Sequence, residues 1–143
     1  MVIQVPRLSI DDARILLEGA AVKSSEIGVP MCTAITDDTG MLLAFEREDG
    51  GKPTSVSIAI DKAFTAAGAR KPTRFYQENT VPGGPTWGIH VSNGGHFCMI
   101  PGGLPLEIDG QVVGGIGCSS GTADQDEIVA QGAIDHFFAQ NGT

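Results

Sequence analysis

LPLEIDGQVVGGIG, residues 104–117, is the stretch whose reading decides the fold. Two largely apolar runs, 104–108 and 111–117, flank the dipeptide Asp109-Gly110, the signal of a two-residue hairpin turn. Strands joined by so short a turn must be antiparallel. This settles how to read Gly114-Gly115-Ile116-Gly117, which otherwise resembles half of a dinucleotide-binding fingerprint. That fingerprint requires a strand feeding directly into a helix within a parallel unit. Here the glycines close a hairpin strand and no helix starts on them, so the nucleotide reading fails.

Working outward, residues 31–36 and 41–45 form a second pair of strands around the turn Asp37-Asp38-Thr39-Gly40. Ser9 with Asp12 three residues later is a capping-box start, with Asp standing in for Glu. The apolar stripe Ile10, Ala13, Leu16, Leu17, Ala20 and Ala21 carries a helix from there to Gly28. A second helix, capped at Thr54 or Ser55, runs to Ala67. Residues 74–79 have room for one or two turns, and the breakers of 81–85 suit no regular state. Residues 89–92 read as a short strand, Asn93-Gly94-Gly95 as a turn, and 97–100 as a strand kinked at Pro101-Gly102-Gly103 into 104–108. Asp124 with Glu127 caps a last helix whose apolar side holds Ile128, Val129, Ile134, Phe137 and Phe138. The expected fold is α/β of the α+β kind. One five-stranded antiparallel sheet layer is flanked by helices, in the order α-β-β-α-β-β-β-α, within a single domain spanning 1–143.

Composition narrows the function classes. The 143 residues suit one domain, and 41% hydrophobic content argues against disorder. Nine Lys+Arg against 17 Asp+Glu leave a net charge of −8, which repels nucleic acid and anionic membranes. Cys32, Cys98 and Cys118 have no CxxC spacing, which points to buried thiols and to neither disulfides nor a metal site. The N-terminus lacks a charged-then-apolar leader and no run of about 18 apolar residues occurs, so a cytoplasmic setting without membrane contact is expected.

The candidate site residues form two groups. Arg70, Lys71 and Thr73 follow the second helix, where cations also suit a helix C-terminus and where Arg can hold a carboxylate in a bidentate manner. His90 and His96 lie about three residues either side of Asn93-Gly94-Gly95 and would face each other across a hairpin there, as metal or haem ligands or as an acid–base pair. Trp87 and Phe97 are available to cover a ring, and Gly102 and Gly103 to admit a ligand close to the backbone. The run 46–49 reads as solvated charge, Asp61 with Lys62 as a partly buried ion pair, and His136 as structural.

Three blocks, VPMCTAITDDTGMLLAFEREDG (29–50), SIAIDKAFTAA (57–67) followed by Thr73, and PGGLPLEIDGQVVGGIGCSSGTADQD (101–126), resemble the HbpS/GlcG-like family, which includes the C-terminal domain of the PduO adenosyltransferases. The resemblance implies a five-stranded antiparallel sheet with flanking helices and homo-oligomers from dimers to octamers. It also implies a ligand pocket between subunits, bounded by Arg70–Thr73 and the glycine-rich region 82–103, with haem or a related tetrapyrrole as the ligand in some members. It assigns no role to His90 or His96. Met31 and Met99 join them as available donors.

Two functions follow as expectations. One is an oligomeric binding module for a small ligand, haem or a related tetrapyrrole. The alternative is a cofactor-independent lyase or hydrolase acting on a small carboxylate, aromatic among the candidates, with Arg70 or Lys71 as anchor and His90 or His96 moving protons.

Overall fold

The computed structural model describes residues 1–141. Its elements are α1 (Ile10–Ile27), β1 (Cys32–Asp37), β2 (Leu42–Arg47), α2 (Ser55–Ala69), α3 (Thr73–Asn79), β3 (Gly103–Ile108), β4 (Gln111–Ser119) and α4 (Ala123–Gln140). The strands form one antiparallel sheet in the order β2-β1-β4-β3. The hairpin expected at Asp109-Gly110 is present. Ile108 pairs with Gln111, and the two turn residues have φ of 53° and 77°, the left-handed pair that matches strand twist. Among the described residues no helix is long and apolar enough to cross a membrane.

Among the described residues the sheet has four strands where five were expected. Residues 89–92 and 97–100 do not pair; the chain instead makes two 3-10 turns, Ile89–Val91 and Asn93–Gly95. Positive φ at Gly88, Asn93, Gly94 and Gly95 coils this segment, so its apolar residues never reach the extended geometry a ladder requires. A smaller correction concerns α4. Its reciprocal cap is Thr122 with Gln125, because Thr122 holds the extended backbone of a cap while Asp124 and Glu127 lie inside the helix and meet Arg74. Thr54 precedes α2 without a side-chain cap bond, whereas the Ser9–Asp12 box and the left-handed Gly28 close α1 as expected.

Helices α1 and α4 cover one face of the sheet through Leu16, Ala20, Val129, Ala133 and Phe137, packed on Ile35, Leu106, Ile116 and Cys118. The opposite face takes α2, whose Ala59 and Ala63 meet Cys32 and Ala34. Alternation along each strand separates the two sets. The α2 contact is close because β4 offers no side chains there. A Cβ at Gly117 would stand 2.1 Å from the Ala59 carbonyl oxygen, and one at Gly115 2.7 Å from that of Ala63.

Between these layers lies an ion pair. Lys62, on α2 and 1% exposed, places Nζ 2.8 Å from Asp126 Oδ2 and donates to the Cys118 carbonyl at 2.9 Å. Asp126 sits in the first turn of α4, where the helix dipole favours its charge, and it also accepts from Gly121 N–H. Lys62 is therefore paired across the fold and not with Asp61.

Candidate functional site

Residues 93–98 lie against α2, and a few bonds fix them there. Thr65 Oγ1 accepts from Cys98 N–H at 2.8 Å and donates to the Asp61 carbonyl at 2.7 Å. Phe97 stands edge-on to Tyr76, with ring centres 4.7 Å apart. His96 Nδ1 lies 2.9 Å from Asp61 Oδ1. A carboxylate only accepts, so Nδ1 carries the hydrogen and the neutral ring keeps its lone pair on Nε2. The His96 side chain is 67% exposed and that of Asp61 24%, and Nε2 has no hydrogen-bond partner among the described residues.

Beside this pair runs a groove of about 400 Å³, lined by Gly40, Met41, Leu42, Ile60, Asp61, Phe64, Asn93 and His96. Its walls are mostly hydrocarbon. Phe64 and Asn93 also line a smaller neighbouring cavity of about 180 Å³, with Thr65, Gly68 and Phe97 among its other walls. Gly40, at φ 89°, lets the β1–β2 turn rest on Phe64; a Cβ there would stand 2.9 Å from the ring.

The expected site residues scatter around this groove. His96 enters it and Phe97 lines the adjoining cavity. His90 does not face His96 across a hairpin; it packs against Trp87, with ring centres 5.2 Å apart, and its enclosed Nδ1 has no hydrogen-bond partner among the described residues. Arg70, left-handed at φ 62°, donates to the Asp38 carbonyl at 2.8 Å and lines a separate cavity of about 360 Å³ with Val5, Pro6 and Glu107. Lys71 lies over the Phe75 ring at 4.6 Å. Thr73 is fully buried; its hydroxyl donates to the Ile100 carbonyl and accepts from Gly103 N–H. A Cβ at Gly102 would approach Lys62 Nζ to 2.8 Å, and one at Gly103 the Lys62 carbonyl oxygen to 2.5 Å, so both glycines make room for α2. Met31 belongs to the core and cannot serve as a donor.

Asp61 is the functional candidate that sequence reasoning missed. It stands 35 residues from His96, and no local pattern links two groups so far apart. The charged run at 46–49 has a structural member in Glu48, which accepts from Ser24 Oγ and from Met31 N–H.

A family model described as "Haem degrading protein HbpS-like" matches residues 8–135. The chain belongs to the HbpS-like family. It is 31% identical over 134 residues to an uncharacterised 15.0 kDa protein of the dhaT-dhaS intergenic region of Citrobacter freundii, covering 94% of each chain. The crystal structure of the Klebsiella pneumoniae protein ORFY superposes with a TM-score of 0.94 at 30% identity, covering 96% of this chain and 95% of that one. A PduOC–haem complex superposes with a TM-score of 0.87 at 29% identity, covering 91% and 94%. The likeness read from residues 29–50, 57–67 and 101–126 is thus a family relationship.

Proposed function

We propose that this HbpS-like chain is a ligand-binding module acting as a homo-oligomer, and that it holds haem or a related tetrapyrrole in the His96 groove. The Asp61–His96 pair carries this reading. A ligating histidine typically donates its other ring N–H to a carboxylate, which fixes the tautomer and strengthens the free nitrogen as a donor. His96 has this arrangement, beside walls of Met41, Leu42, Ile60 and Phe64. The residues therefore fit the group: His96 Nε2 would hold the iron and the apolar walls would cover the ring, while the iron would bring its ligand-binding and redox capacity.

A second copy supplies the missing wall. Met41 and Leu42 of the groove wall are exposed, as are Trp87, Val91 and Ile100 in the segment that carries His96. Such apolar surface suits an interface between subunits. The kinship with a PduOC–haem complex supports the same ligand.

Haem titration of the purified protein, followed at the Soret band, tests this. Stoichiometric binding is expected for wild type and for His90→Ala, and its loss for His96→Ala. Light scattering after gel filtration would show a dimer or a larger ring. Absence of a saturable Soret change, or full binding by His96→Ala, would overturn the assignment.

One observation favours the cofactor-independent reading. A carboxylate-held imidazole with Nε2 exposed is also a general base. On that reading His96 takes a substrate proton and Asp61 stabilises the resulting cation. Turnover of small hydroxy or aromatic substrates without added cofactor, abolished by His96→Ala, would establish it.

A further inference from the structure

The groove's polar atoms indicate which metal-free ligands it selects. Its lining contains no Lys or Arg; the polar side chains are Asp61, His96 and Asn93. Asp61 engages His96 through Oδ1, and Oδ2 takes no hydrogen bond from the described residues. In the neutral ring His96 Nε2 is likewise an acceptor. Two side chains of the lining, Asp61 and His96, therefore each keep an acceptor atom free of hydrogen bonds from the described residues, beside walls of Met41, Leu42, Ile60 and Phe64.

We infer that the groove's small-molecule ligands are flat aromatic compounds bearing N–H donors, neutral or cationic, of the aryl-amidine or amino-heterocycle kind. A planar ring fills the apolar slot, and a ligand N–H group meets Asp61 Oδ2 or His96 Nε2. A carboxylate at the same place meets two acceptors and a negative charge in a protein already at −8, and finds no cation. Arg70 lines a different cavity and Lys71 lies over Phe75, so neither anchors an anion in this groove. The inference rests on the groove being the ligand seat proposed above. The two ligand types use one feature, since iron and a donated hydrogen both address the Nε2 lone pair.

Benzamidine and benzoate, alike in shape and opposite in charge, form the test pair. Each is titrated into the full-length protein while NMR follows the His96 ring. Benzamidine is expected to shift the His96 signals and to bind roughly tenfold or more tightly than benzoate, given one carboxylate within contact range. Net charge alone would favour a cation, so Asp61→Asn is the decisive variant. The Asn carbonyl oxygen can still accept from His96 Nδ1, and the preference should fall to near parity. Equal or tighter benzoate binding, or a preference unchanged in Asp61→Asn, overturns the inference. Haem binding through His96 without any response to benzamidine would sink this inference and leave the ligand seat standing. No response to either would remove both.

Discussion

At the scale of single residues, exposure divides the charged pairs into those that hold the fold and those that serve the groove. Lys62 and Asp126 are 1% and 4% exposed at their side chains. Replacing Lys62 by Met would strand a buried carboxylate and orphan the Cys118 carbonyl, a loss of about 3–5 kcal/mol. The urea midpoint of Lys62→Met checks this, and adding Asp126→Leu should restore part of the loss, because an apolar pair of similar volume is tolerated where a lone charge is not. His96 offers the contrast. Its ring is largely in solvent, so its removal should shift stability by less than about 1 kcal/mol while abolishing ligand binding. A large fall in the melting temperature of His96→Ala would show that the imidazole serves the fold instead.

Among the elements, α2 is the piece that positions everything else. It packs on strand β4 where Gly115 and Gly117 leave backbone against backbone. Gly117→Ala would force a methyl to within 2.1 Å of the Ala59 carbonyl oxygen, so the helix must lift. A destabilisation of at least about 1–3 kcal/mol is expected from such overpacking, measured by thermal unfolding, together with weaker ligand binding as Asp61 moves. A neutral Gly117→Ala would mean the helix can shift freely. The β3–β4 hairpin was legible because Asp109-Gly110 states its turn locally, and α1 because Ser9, Asp12 and Gly28 mark both ends. Residues 89–100 misled because short apolar runs around Asn93-Gly94-Gly95 look alike whether they pair or coil. Asp61 and Lys62 read as neighbours in sequence, yet one faces the groove and the other reaches α4. Partners 35 and 64 residues distant in the chain are chosen by the fold, and periodicity carries no trace of them. The candidate site was therefore half visible: His96 and Phe97 by type, Asp61 and Phe64 only by contact.

For the molecule as a whole, acid should weaken the fold where the N-terminal arm joins the sheet. Burial pushes the Asp37 carboxyl upward, but the Thr39 hydroxyl, the N–H groups of Thr39 and Met41, and Arg7 outweigh it and hold it below the usual carboxylate range. A depressed pKa adds stability above the unfolded-state value of about 4, and that stability is lost as pH falls through the folded value. The gap in urea midpoint between wild type and Asp37→Asn should thus be full at pH 7 and close progressively below about pH 4; a gap independent of pH would refute this. The glycine floor under α2 has a further consequence. One jaw of the groove, carrying Asp61 and Phe64, is seated on bare sheet backbone and tolerates almost no change. The other jaw, carrying Asn93 and His96, is held by a handful of bonds and belongs to no ladder. Descent with modification can therefore rewrite the second jaw while the first stays put, so ligand preference is free to diverge among proteins that share this scaffold.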